Sequence, residues 1–339
     1  MEKKGIIGWR SPSNIAIVKY WGKREVQLPV NPSISFTLEK SYTETTISYE
    51  SGNGQIEFLY DGQPNSFFEQ KVKRFIHSLN LKFLSELNIV VDSKNNFPHS
   101  AGIASSASAM SALSLCLTDL ESFYSSEPSD FLQRSSIRAR LGSGSACRSI
   151  YPVASLWGKI NAISNSSDEY AIGLEHLIHS NFRDLQDWII LVDQKEKSVS
   201  SSAGHNLMNT HPYQTNRISQ ANENIIRLYE ILRKGNWEEF IEVAEEEALS
   251  LHALMMSSRP GYLLLEPDSI RIIKSLNHFR LNSKIPICYT IDAGPNIHIL
   301  FSKKYDSYIL DWLKSEFPDY VEHSKIIYDN VGTGPIKIM

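Results

Sequence analysis

"FPHSAGIASSASAMSALSL", Phe97–Leu115, sets one glycine among small residues and serines directly ahead of a helical pattern. Pro98–Gly102 interrupts the strand pattern, and from Ser105 the apolar residues Ala109, Met110, Leu113 and Leu117 recur at helical spacing. A glycine turn therefore feeds a helix N-terminus. Such an end presents several unpaired N–H groups and a partial positive charge, and residues without bulk let a phosphate approach the backbone. Hydroxyls at Ser105, Ser106 and Ser108 add donors or a magnesium ligand. Small residues and an N-cap serine also suit plain helix packing, so this stretch alone leaves both readings open. The chain contains neither the G-x-x-x-x-G-K-[ST] loop nor the dinucleotide fingerprint.

Upstream of that turn, strand-like runs fall at Asn14–Tyr20, Ser33–Leu38, Thr43–Tyr49 and Leu87–Asp92, with helical patterns near Phe67–Leu79, Ser105–Leu120 and Phe131–Arg140. Downstream the texture changes. "WIILVD" at Trp188 reads as a strand, then Asn216–Leu232 and Trp237–Met255 as two helices, with Gly235 and Asn236 supplying a stop and the next N-cap. A helix at Ser269–Phe279 leads to the strand "IPICYTID", the turn "AGPN", the returning strand "IHILF", a helix at Tyr308–Phe317 and a last strand "KIIYD". Strand, helices, two hairpin strands, helix, strand is the split βαβ pattern. The expectation is an α+β protein of two domains, 1–186 and 187–339, meeting along a cleft.

Composition narrows the class. At 339 residues and 42% hydrophobic content the chain can bury a large core. No apolar run approaches the roughly 18 residues of a membrane span, and "MEKKGIIGWRSPS" has too short an apolar segment for a secretory signal, so a cytoplasmic protein is expected. Cys116, Cys147 and Cys288 are odd in number and widely spaced, which fits reduced thiols. A net charge of −4 argues against a nucleic-acid surface, so a bound anion must be held by local donors. His176 and His179 lack an H-E-x-x-H context and are expected to be ordinary helix-face histidines rather than a zinc site.

Three further segments carry chemistry. Alternation in "IPICYTIDAGPN" puts Asp292 at a strand end just ahead of a turn, where a carboxylate either starts an Asx turn or faces a site. In "RLGSGSACRS", Arg148 follows small residues, and a guanidinium can hold a carboxylate with two parallel hydrogen bonds. Cys147 has no histidine partner nearby and reads as a small packing residue. In "KYWGK", strand alternation places Lys19 and Trp21 on one side and Tyr20 on the other until Gly22; two cations with hydroxyl and indole donors suit a diphosphate.

"PHSAGIASSASA" resembles the phosphate-binding motif P-x-x-x-G-L-[AG]-S-S-A of the galactokinase, homoserine kinase, mevalonate kinase and phosphomevalonate kinase (GHMP) superfamily. Within it, "NIAIVKYWGKR", "LPVNPSISFTL", "RLGSGSACRS", "VSSSAGH" and "IDAGPN" resemble, in order from about Ser11 to Phe301, the diphosphomevalonate decarboxylases. The resemblance implies the two-domain GHMP kinase fold with a ferredoxin-like second domain. It also implies ATP-dependent conversion of mevalonate 5-diphosphate to isopentenyl diphosphate, phosphate, ADP and carbon dioxide, magnesium arriving with ATP, and a homodimer.

The same resemblance assigns residues. Asp292 is the base near the tertiary hydroxyl, with Lys19 and Arg148 beside it as the other catalytic groups. Substrate positions are Asn14, Tyr20, Trp21, Gly22, Lys23, Arg74, Ser143, Gly144, Ser145, Ala146, Cys147 and Ser202. ATP positions are Gly102, Ile103, Ala104, Ser105, Ser106 and Ser108. Apart from the resemblance, Lys195 and Lys197 in "DQKEKSVS" could reach ATP phosphates, though a solvated loop is the simpler explanation for either. No protein metal cage, nucleic acid or membrane partner is implied. The chain departs from the family pattern at "YPVAS" after Arg148, at His205, where methionine is common, and in "HALMMSSRPGY". The alternatives are a decarboxylase of mevalonate 5-phosphate, a mevalonate 3-kinase, or an ATP-binding sensor without catalysis.

Overall fold

The computed structural model describes residues 4–98, 103–124, 130–193 and 199–339. Its first half is built on an eight-stranded sheet. The opening strand Lys4–Val18 lies antiparallel to the long strand Ser33–Ser51, with register shifts between Pro12 and Asn14 and between Ala16 and Val18. The two short strands expected at Ser33 and Thr43 are thus one continuous strand, which stays extended through Glu39–Tyr42 where its register to the opening strand shifts. Leu87–Asn95 pairs with its other edge, and Ala154–Trp157 with its beginning.

The helices Ser66–Ser78, Ser105–Ser122 and Phe131–Gly142 cover this sheet. Ile47, Ile89 and Val91 from the sheet meet Phe75, Met110, Leu113 and Leu117 from the helices in one core. The serine-rich helix is buried along most of its length, so its serines and alanines give close helix-to-sheet approach.

The second half carries a four-stranded antiparallel sheet of Leu185–Ile190, Ile287–Thr290, Ile297–Ser302 and Ile326–Asn330. Numbered along the chain, its spatial order is second, third, first, fourth, which is the ferredoxin-like arrangement of a split βαβ unit. Its opening strand starts at Leu185, two residues before the expected division, and the terminal pair Ile336–Lys337 returns to the edge of the first sheet. Gly235 adopts φ 75° at the end of the helix Gln214–Lys234, and the Asn236 side chain accepts from the N–H groups of Glu238 and Glu239 to start Trp237–Ser257.

One core binds the halves together. Ile15, Phe36 and Leu156 pack with Ile189, Ile225, Phe240 and Leu300, although they lie far apart in the chain. The ends of both sheets are consequently held against each other, and the functional segments meet at that seam. His176 and His179 are not on a helix: His176 sits in a turn, and the His179 ring accepts from the Asn181 N–H at 3.2 Å.

Candidate active site

The opening strand stops at Val18, and the chain then leaves the sheet. Lys19 to Gly22 therefore do not alternate as strand residues, and Lys19, Tyr20 and Trp21 all line one polar cavity. Gly22 makes the turn possible with φ 94°, a left-handed conformation that favours glycine. Its N–H donates to His205 Nδ1 at 2.9 Å, so Gly22 serves the turn and is not part of the cavity wall. Trp21 also packs on Met208 and Leu251, joining core and cavity.

Lys19 and Asp292 come from opposite ends of the chain, yet Nζ and Oδ1 are 2.8 Å apart. Lys19 is 1% exposed. Burial lowers its pKa, while the charge and hydrogen bond of Asp292 and then the charge of Glu247 push it back up. Asp292 lies just past the strand Ile287–Thr290, in the turn before Asn296, and remains accessible from the cavity. A hydroxyl entering there meets a carboxylate already held in its reactive direction by an ammonium.

Arg148 is set by the 3₁₀ turn Gly144–Ile150 and is buried against the sheet. Its Nε donates to Asn14 Oδ1 at 3.2 Å and one terminal nitrogen to Ser33 Oγ. Those bonds use two of about five N–H donors and leave the rest for a planar anion in the cavity that Arg148 lines. Asn14 from the opening strand and Ser143, Gly144 and Ser145 from the loop of Arg148 complete this wall, and Ser202 closes it from the second half.

Tyr20, Lys23 and a residue that sequence reading did not single out, Lys71, line the same cavity. The Tyr20 hydroxyl is buried without a hydrogen-bond partner. A buried hydroxyl in that state requires an acceptor, which a phosphate oxygen supplies. Lys71, though exposed, is held below its usual pKa, first by protein crowding and then by the like charges of Arg74 and Lys23. Arg74 itself is exposed, bonds to the Gln70 carbonyl and does not line the cavity. Lys71, one turn earlier on the same helix, lines the cavity instead.

Several other expected positions lie off the cavity wall. Ala146 and Cys147 are fully buried and outside the cavity wall; the Cys147 thiol donates to the Gly144 carbonyl, and burial pushes its pKa up to about 12. Ser108 is buried against Thr43, 2.6 Å between hydroxyl oxygens, and lines neither the polar cavity nor the neighbouring apolar one. Ile103 is core, and its carbonyl accepts from Ser13. Gly102, Lys195 and Lys197 lie outside the described residues.

The serine-rich helix begins at Ser105 with no side-chain cap, after Ala104 at φ 41°, so its first N–H groups have no side-chain acceptor. Ala104 and Ser106 border the polar cavity; Ser105 and Ser106 border a second, apolar one with Phe58, Tyr60, Phe67 and Phe68. Lys71 touches both. An uncapped helix end between a polar cavity and an aromatic one suits a nucleotide triphosphate, base in the aromatic cavity and phosphates at the helix end. Among the described residues no group of three or more His, Cys, Asp or Glu could hold a metal ion. A magnesium ion here would be ligated chiefly by phosphate and water, with Ser105 or Ser106 as the protein hydroxyl.

Residues 11–170 match the model of the diphosphomevalonate decarboxylase-like N-terminal domain, and residues 188–337 that of the mevalonate 5-diphosphate decarboxylase C-terminal domain. The chain belongs to the mevalonate 5-diphosphate decarboxylase family. A curated relative from Candida albicans, a diphosphomevalonate decarboxylase, is 30% identical, with 96% of each chain covered. The solved mevalonate diphosphate decarboxylase from Staphylococcus aureus is 31% identical, with 100% of this chain and 99% of that one covered at a TM-score of 0.85. Another solved structure, in complex with MVAPP, AMPPCP and magnesium, is 27% identical, with 99% of both chains covered at a TM-score of 0.84. The decarboxylase fold thus extends over the whole chain, including the seam where Lys19, Arg148 and Asp292 meet.

Proposed function

We propose that this chain uses ATP to convert mevalonate 5-diphosphate into isopentenyl diphosphate, carbon dioxide, ADP and phosphate. The observation that carries the reading is the gathering of Asp292, Lys19 and Arg148 in one cavity. Phosphorylation alone needs a hydroxyl oriented toward ATP; a buried arginine with free donors beside that carboxylate additionally suits a substrate that presents its own carboxylate.

Asp292 accepts the proton of the tertiary hydroxyl, whose oxygen attacks the γ-phosphorus of ATP and releases ADP. The new phosphate then departs with the electron pair of its C–O bond. The bond to the carboxylate breaks as carbon dioxide leaves, and its electrons form the alkene. Lys19 holds the Asp292 carboxylate and offsets charge on the oxygen. Arg148, fixed by Asn14 and Ser33, holds the carboxylate until cleavage, and the dry surroundings of that arginine favour loss of the charge. Tyr20, Lys23, Lys71 and the Ser143–Ser145 loop take the diphosphate, with Trp21 and Ser202 as flanking walls. Ala104, Ser105 and Ser106 take the ATP phosphates, together with Gly102. Magnesium supplies charge neutralisation on those phosphates when bound.

Two structural domains dividing near residue 187, a cytoplasmic location and a homodimer belong to the same reading by family analogy. Fractionation and light scattering check the last two. The function is tested by offering mevalonate, its 5-phosphate and its 5-diphosphate separately with Mg-ATP while measuring ADP and carbon dioxide. Both products in equal amount from the diphosphate alone are expected. ADP without carbon dioxide would leave only a kinase, turnover of the 5-phosphate would reassign the substrate, and binding of ATP without turnover would leave a sensor.

A further inference from the structure

Neither Lys19 nor Asp292 is held by sheet hydrogen bonds, since each lies just beyond the end of its strand. Both backbones are instead tied to one helix, Asp292 in addition to the turn bond that its carbonyl accepts from the Gly294 N–H at 2.7 Å. The Lys19 N–H donates to Glu247 Oε2 at 2.9 Å. Five residues on, His252 Nε2 donates to the Asp292 carbonyl oxygen at 3.1 Å. Both side chains are on the helix Trp237–Ser257, and neither lines the cavity.

Glu247 is itself fixed. It is 0% exposed and accepts from both terminal nitrogens of Arg217 at 2.7 Å and from Asn224 at 2.9 Å. Arg217 also donates to the Lys19 carbonyl at 3.0 Å, and Asn31 does so at 2.9 Å. The backbone donor and acceptor of Lys19 are therefore both taken by buried side chains. A carboxylate without solvent is retained at a cost unless every acceptor site is used, and here its partners meet that condition.

We infer that Glu247, with Arg217, and His252 are positioning residues: a single helix fixes the backbones of Lys19 and Asp292 relative to each other, so their side chains are aligned before substrate arrives. A five-residue spacing on an α-helix is about 7.5 Å of rise, a rigid ruler between the two attachment points. Glu247 has a second effect, because its charge supports the protonated form of Lys19 against burial. Misalignment of reacting groups by about 1 Å costs on the order of a hundredfold in rate, so the ruler matters for turnover more than for binding.

This inference rests on the catalytic reading of Lys19 and Asp292 given above. The test uses His252→Phe, which keeps a ring and removes the donor, and His252→Gln, whose amide nitrogen reaches the Nε2 position. A paired variant, Glu247→Leu with Arg217→Met, exchanges the buried ion pair for apolar groups of similar volume, a replacement that buried pairs tolerate. We expect His252→Phe and the paired variant to lose about 10- to 100-fold in kcat, with KM for the diphosphate substrate within about threefold, and His252→Gln to recover most of the loss. In an Asp292→Asn background, His252→Phe is expected to cost less than about threefold, because the group being aligned is gone. Equal losses in both backgrounds, or full activity of folded His252→Phe, would overturn the inference. Crystal structures of the variants decide it without any turnover: the Lys19–Asp292 contact opens, or it stays at 2.8 Å and the positioning role is refuted. A wild-type protein inactive on every mevalonate compound would sink the proposed function, and those structures would still answer for the helix.

Discussion

Replacing Asp292 by Asn leaves the size of the side chain and removes its charge, which separates the base from a turn residue. In the folded protein the Lys19 ammonium is 2% exposed and the Asp292 carboxylate 26%, at 2.8 Å. Burial already lowers the Lys19 pKa, and Asp292 is the largest opposing influence. Once that carboxylate is gone, the largest influence favouring the Lys19 ammonium is lost and the Glu247 charge remains. The stability cost is about 1–5 kcal/mol, the range from an unmade hydrogen bond to a broken buried ion pair. The chemical cost is distinct. Loss of a general base lowers kcat by about 10²- to 10⁴-fold, or roughly 2.7–5.5 kcal/mol of transition-state stabilisation. The assay is coupled ADP release with trapping of carbon dioxide, alongside calorimetric titration of the diphosphate substrate, whose affinity should change little. A folded Asp292→Asn variant turning over within about threefold of wild type would refute the assignment and return Asp292 to turn structure.

Lys23→Met removes one of two cations at the diphosphate end, so kcat/KM for the diphosphate substrate should fall about 10- to 150-fold while ATP affinity measured by calorimetry is unchanged. The reverse pattern would mean that the two ends of the cavity are assigned the wrong way round. Arg148→Lys keeps a charge but cannot bond Asn14, Ser33 and a substrate carboxylate together, so kcat should fall more than KM rises; steady-state kinetics on the folded variant decide this. Burial lowers His205 to about 3, so below the ordinary histidine value of about 6.5 the unfolded chain binds one proton more than the folded one. Stability falls as pH drops through that window, by about 1.4 kcal/mol per unit for this group. Urea midpoints at two acidic pH values should show a shallower decline for His205→Gln, which keeps an acceptor for the Gly22 N–H; equal slopes would exclude His205 as the cause.

Local pattern carried much of the fold. The helix starting at Ser105, the caps at Gly235 and Asn236 and the strand order of the second half follow from periodicity and turn chemistry, since these depend on neighbours within a few residues. Where alternation was extended past a strand end it failed. Lys19, Tyr20 and Trp21 share a cavity because the Lys19 N–H pairs with Glu247 rather than with the sheet, and no pattern in "KYWGK" encodes a partner 228 positions away.

The candidate site divides in the same way. Motif resemblance reached Asp292, Lys19, Arg148, Tyr20, Lys23 and the Ser143–Ser145 loop, all of which meet in the cavity. It also drew in Ala146, Cys147 and Ser108, which lie in the same motifs but are turned into the core. Lys71, the aromatic cavity and the Glu247–Arg217 pair were not legible, because they sit on ordinary amphipathic helices and strands whose composition marks only a buried and a solvated face. Family, element order and the chemical types brought to the site can be read from the order of residues along the chain. Which of those side chains face one another cannot, since that depends on how two sheets and their helices close on a shared core.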